Sequence, residues 1–181
     1  MMRFAYTVVT FVAVAVVASP FFFSPPLKLV WNVSASAPVG LYLLKEPVGL
    51  DITDLVAVRL PERWQSFAVE RGYIGNGTLL LKRIVGLPGQ MVCRLDGFIT
   101  VDEVTIGHTR EADQQGRLLP KWDGCQMIDQ HKIFLMNWQV DDSLDGRYFG
   151  PLPANTIIGL ARPFWTDEAG DGRFEWRAPT Q

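Results

Sequence analysis

Three short segments of this 181-residue chain carry side chains able to do chemistry. The first, Asn32-Val33-Ser34-Ala35-Ser36-Ala37-Pro38-Val39-Gly40-Leu41-Tyr42, offers hydroxyls in a stretch rigidified by Pro38 and punctuated by Gly40; taken alone, Ser34 and Ser36 are ordinary turn or capping residues. The second, Leu79-Leu80-Leu81-Lys82-Arg83-Ile84-Val85-Gly86-Leu87-Pro88-Gly89, interrupts an apolar run with a lysine. In a strand, Lys82 shares a face with Leu80 and Ile84. An ammonium there needs a carboxylate or a path to water, or it gives up its proton. At the ordinary lysine pKa of about 10.4, about one molecule in 2,500 is neutral at pH 7, and lowering that pKa to about 7–8 takes about 3–4 kcal/mol of desolvation. Neutral Lys82 would then take the proton of Ser36 as its Oγ attacks a peptide carbonyl, forming an acyl-enzyme. The backbone N–H of Ser36 and the hydroxyl of Ser34 are candidate donors to the developing oxyanion. The third segment, Asp141-Asp142-Ser143-Leu144-Asp145-Gly146-Arg147-Tyr148-Phe149-Gly150-Pro151-Leu152-Pro153, reads by itself as an Asp-rich turn whose Asp145–Arg147 pair, if exposed, is worth about 0–1 kcal/mol.

Other chemistries have less support. His108 and His131 sit in no recognisable motif, so a Ser-His-Asp triad is not indicated. Neither Cys93 nor Cys125 has a histidine nearby in sequence to suggest a thiolate–imidazole pair or a zinc ligand set. Nothing points to a metal or an organic cofactor. A formal net charge of -2 and the absence of a basic run disfavour nucleic acid as a partner.

The elements that must position these residues are mostly strands. Short apolar, β-branched runs at 55–60, 79–85, 91–95, 98–101, 133–136 and 157–161 alternate with Gly, Pro and Asp turn signals and predict a mainly β domain. Residues 61–71 place Trp64, Phe67, Ala68 and Arg71 at helical spacing between Pro61 and Gly72, which predicts one short amphipathic helix. Residues 105–130 are polar and turn-rich, as expected of an inserted lobe or long loop.

The stretch from Phe4 to Leu27 contains no charged residue, and Phe4 to Phe23 is about the length a helix needs to cross a bilayer. Residues 1–27 therefore read as an N-terminal membrane anchor that ends at Ser24-Pro25-Pro26, with residues 28–181 as the exported domain. Arg3 keeps the amino terminus cytoplasmic. A cleaved secretory signal is the competing reading, and it too exports the domain. In an oxidising periplasm, Cys93 and Cys125 are candidates for a disulfide worth about 3–4 kcal/mol, against the alternative of two buried thiols.

The three segments as a set, in this order and behind an apolar N-terminus, resemble the boxes of the signal peptidase I superfamily. Ser36-Ala37-Pro38-Val39-Gly40-Leu41-Tyr42 is similar to the serine box of TraF-type conjugative transfer peptidases, whereas general leader peptidases carry Ser-Met-x-Pro. Lys82 to Gly89 resembles the lysine box and Ser143 to Gly150 the last box, and the resemblance spans most of residues 28–165. It implies Ser36 as nucleophile, Lys82 as general base, Ser143 as a hydroxyl orienting the lysine amine, and Asp145 and Arg147 as structural supports. It also implies a mostly β catalytic core with a smaller inserted lobe, here about residues 93–130. One departure is Asn137-Trp138-Gln139, where leader peptidases carry Gly-Asp-Asn. The expected activity is removal of a leader or propeptide from an exported protein, such as a pilin precursor, at the cytoplasmic membrane. A general leader peptidase and a non-catalytic anchored scaffold are the alternatives, and release to water or to an amine is left open.

Overall fold

The computed structural model describes residues 2–22 and 27–179. Helix α1 (Met2–Phe22) precedes the first strand, and its apolar side chains, among them Phe4, Phe11 and Val17, are exposed. Among the described residues no helix is long and apolar enough to cross a membrane; side chains of α1 are described from Phe4 to Ser19 only. The expected membrane exit at Ser24-Pro25-Pro26 lies outside the described residues.

The rest of the chain is mainly β. Strands β1 (Leu29–Asn32) and β2 (Val39–Lys45) form an antiparallel pair that closes around the serine segment, with Asn32 opposite Gly40. After β3 (Leu55–Val58), helix α2 (Glu62–Glu70) leads to β4 (Leu80–Gly86). Then come β5 (Met91–Leu95), β6 (Phe98–Val101), β7 (Val104–His108) and β8 (Gly124–Met127), and the chain returns through β9 (Lys132–Leu135), α3 (Gly146–Phe149), β10 (Leu152–Pro153), β11 (Ile157–Asp167) and β12 (Glu175–Trp176). The larger sheet runs β1-β2-β11-β3-β4-β9-β10, with β12 added to β11; the smaller runs β7-β6-β5-β8. Because β4 and β9 are neighbours in the larger sheet, the whole smaller sheet lies in the connection between two adjacent strands.

Strand β4 is the central element. Val56 and Leu55 of β3 stand opposite Lys82 and Arg83. Leu80 and Ile84 enter one apolar cluster, Leu81 a second and Val85 a third, so the strand is covered on both faces. That is why its sequence reads as a near-continuous apolar run. Strand β11 reaches Asp167, six residues beyond the run that predicts it, and accommodates Pro163 by a register shift between Pro163 and Trp165, as a residue without an N–H requires. Helix α2 begins directly after Pro61 and stops at Gly72, whose φ of 71° is open to glycine at little cost.

Candidate active site

Ser36 sits in the turn between β1 and β2, and Asn32 at the end of β1 determines the shape of that turn. Its Nδ2 donates to the carbonyls of Ser34, Ala37 and Pro38 at 2.8, 3.0 and 3.0 Å, and its Oδ1 accepts from the Ser34 N–H at 3.1 Å. Tyr42, fully buried, donates its hydroxyl to the Pro38 carbonyl at 2.8 Å. Burial first, and then the Glu168 carboxylate, push that phenol well above the usual range, so it remains a donor. Gly40 has φ 146°, and a Cβ there would strike the Trp165 carbonyl of β11. The turn is thus clamped at both ends.

Lys82 enters from β4 and is 4% exposed. Its Nζ lies 3.1 Å from Ser36 Oγ and 2.7 Å from Ser143 Oγ. Residues 46 and 61 positions away in sequence therefore converge on one nitrogen. Desolvation lowers the Lys82 pKa from 10.5 to about 8; Asp145 opposes that shift and Arg147 adds to it. Ser34 Oγ is 3.1 Å from Ser36 Oγ and accepts from the Ser36 N–H at 3.3 Å.

Beneath the lysine, the Asp145 and Arg147 side chains are fully buried and meet as a fork, Nε to Oδ1 and Nη2 to Oδ2 both at 2.9 Å. Asp145 also caps α3 through the Arg147 N–H and accepts the Asn137 N–H at 3.1 Å. Burial alone would lower the Arg147 pKa, but the hydrogen bond and charge of Asp145 raise it. Gly146 is needed because a Cβ would come within 2.6 Å of the Leu135 carbonyl and 2.7 Å of the Phe134 ring.

A match to the family described as "Signal peptidase, peptidase S26" covers residues 1–165. The chain belongs to that family, as a TraF-type member. It is similar to plasmid transfer protein TraF of Escherichia coli, 30% identical over 152 residues and covering 79% of each chain. It is also similar to conjugal transfer protein TraF of Agrobacterium fabrum (strain C58), 34% identical over 148 residues, 75% of this chain and 81% of that one. Among solved structures, a signal peptidase I from Enterococcus faecalis aligns at TM-score 0.37 and 21% identity over 65% of this chain and 97% of the other, too loosely to bear on this site.

In this TraF-type peptidase, Ser34, Ser36, Lys82 and Ser143 come together, and Asp145 and Arg147 lie in the layer behind them. The serine is shared by two clefts of about 310 and 280 Å³, of which only the larger is lined by Lys82 and Ser143. Asn137, like Asn32, has a role that the sequence does not announce. It is buried, and its Nδ2 donates to the Ser36 carbonyl at 2.6 Å and to the Leu81 carbonyl at 3.0 Å, while its Oδ1 accepts from the Arg83 N–H at 3.1 Å. One side chain thus ties the nucleophile's backbone to the lysine's strand. The chain signal was Asn137 itself, standing just past a strand and close ahead of the third segment. His108 and His131 line neither cleft. Cys93 and Cys125 are directly opposed on β5 and β8 and joined by a disulfide, and they line neither cleft.

Proposed function

We propose that this chain is a membrane-anchored serine endopeptidase that removes a leader or propeptide from an exported protein, such as a pilin precursor of conjugative transfer. The observation that carries the proposal is a nearly dry Lys82 amine within hydrogen-bond distance of both Ser36 Oγ and Ser143 Oγ. With a pKa near 8, about a tenth of the amine is neutral at pH 7, against well under a thousandth for an ordinary lysine.

On this reading Ser143 accepts a hydrogen bond from the amine and turns its lone pair towards Ser36. Lys82 takes the Ser36 proton, Oγ adds to the scissile carbonyl, and the lysine returns that proton to the leaving amine as the acyl-enzyme forms. A second nucleophile, activated by the same lysine, releases the acyl group. The oxyanion would be met by the Ser36 N–H and the Ser34 hydroxyl, which in the free protein bond to each other and must turn outward to the substrate. The names of the two relatives support conjugative transfer as the setting. Support for the anchor comes from α1, whose described apolar side chains from Phe4 to Val17 are exposed, as suits lipid. The catalytic domain would then lie on the periplasmic face.

The test is co-expression of wild type, Ser36→Ala and Lys82→Ala with a candidate propilin in a membrane system, read by intact mass of the substrate. The expected result is a shortened substrate with wild type and a loss of about a thousandfold or more in rate with each folded variant. Processing by both variants at the wild-type rate would overturn the dyad.

A further inference from the structure

The larger cleft beside Ser36 and Lys82 is walled by three guanidiniums that are not equally engaged. Arg110 pairs with Asp142, and Arg117 pairs with Asp113 at 2.7 Å. Arg71 makes no ion pair with a carboxylate among the described residues. It is nevertheless held in place. Its backbone forms the C-cap of α2, its guanidinium lies 4.6 Å over the Phe67 ring, and Nη1 donates to the Leu118 carbonyl at 2.8 Å. A guanidinium has five N–H donors in a planar fork, and one acceptor leaves most of them unused. The protein as a whole carries a formal charge of -2, so the cation on this wall does not follow from a general basic surface.

We infer that Arg71 is a specificity determinant of this site, binding a carboxylate of the substrate segment that occupies the larger cleft. The inference rests on the reading of Ser36 and Lys82 as a peptidase dyad. The carboxylate is supplied either by an acidic side chain or by the free C-terminus of the substrate. A fork already fixed by Phe67 and Leu118 loses little freedom on binding, and a planar carboxylate fits it in two parallel hydrogen bonds. Arg71 grips ground state and transition state alike, so its contribution appears in KM rather than in kcat.

The test uses the full-length protein in detergent and internally quenched decapeptides built around a small-residue cleavage site. One series walks a Glu through the positions flanking that site, a matched series carries Gln, and each is made with a free and an amidated C-terminus. Wild type, Arg71→Ala and Arg71→Lys are compared for turnover, with melting curves to establish folding. Capture of the same peptides by Ser36→Ala, read by fluorescence anisotropy, scores binding without chemistry. The expected result is a preference of about 10- to 100-fold for one carboxylate-bearing peptide, expressed in KM, that collapses towards one in Arg71→Ala and is only partly kept by Arg71→Lys. Sensitivity to the Glu position identifies a side chain as the source, and sensitivity to amidation identifies the chain end. An unaltered preference in Arg71→Ala, wild-type turnover that differs neither between the Glu and Gln series nor between free and amidated ends, or no capture of any peptide overturns the inference. Cleavage that persists in Ser36→Ala condemns the dyad reading instead, and the Arg71 comparison remains readable.

Discussion

Lys82 is stabilised in its neutral form by the same burial that makes it costly to carry. Below pH 8 the amine is mostly protonated and only its neutral fraction can act as a base, so kcat/KM on a peptide substrate should rise with pH, reach half its maximum near pH 8 and level off above it. A flat profile between pH 6 and 9 would exclude Lys82 as the base. The linkage to stability has the same sign. The folded pKa lies below the unfolded value of 10.5, so the penalty is fully present below pH 8 and is lifted as pH rises from 8 to 10.5. Lys82→Met should therefore stabilise the protein at pH 7 by up to about 3 kcal/mol, with a gain that shrinks by pH 10 in urea titrations. A gain equal at both pH values would show that packing and not charge is responsible. Ser36, Lys82 and Ser143 are legible in the sequence because their neighbours form extended motifs. Asn32 and Asn137 are not, because both act by bonding to main-chain groups. Which carbonyls those are depends on the β1 turn and on how β4 pairs with β9, and no local pattern encodes either.

At the scale of elements, the third segment turns from an apparent surface turn into a buried brace. The exposed ion pair its composition suggests is instead a fully buried fork beneath the lysine. Removing one partner leaves the other charge unpaired, so Arg147→Leu should destabilise by about 3–5 kcal/mol, and Asp145→Asn added to it should restore part of the loss in chemical denaturation. A double variant as unstable as the single would argue that the arginine matters for its three carbonyl contacts and not for its charge. The strands legible in the sequence, such as β5 and β6, are runs with buried positions at every second residue. Strands β7 and β8 escape that reading because neither has a fully buried residue, and β1 and β2 because the serine segment between them reads as a loop.

Across the whole molecule, α1 and the β domain are expected to be thermodynamically separate. The side chains described for α1 are exposed from Phe4 to Val17, so a chain beginning at residue 28 should melt within about 2 °C of the full-length protein in detergent and cleave soluble peptides equally well. A markedly lower melting temperature in the shortened chain would show that the helix belongs to the fold. The active site, by contrast, is not separable. Ser36 and Ser143 lie 46 and 61 residues from Lys82 in sequence, and the lysine acquires its depressed pKa only when β4 is sealed between β3 and β9. Before that moment the amine is as fully charged as any lysine in water and Ser36 is an unremarkable alcohol. On the proposed Ser36–Lys82 mechanism the nascent chain is its own zymogen, with folding as the activation step.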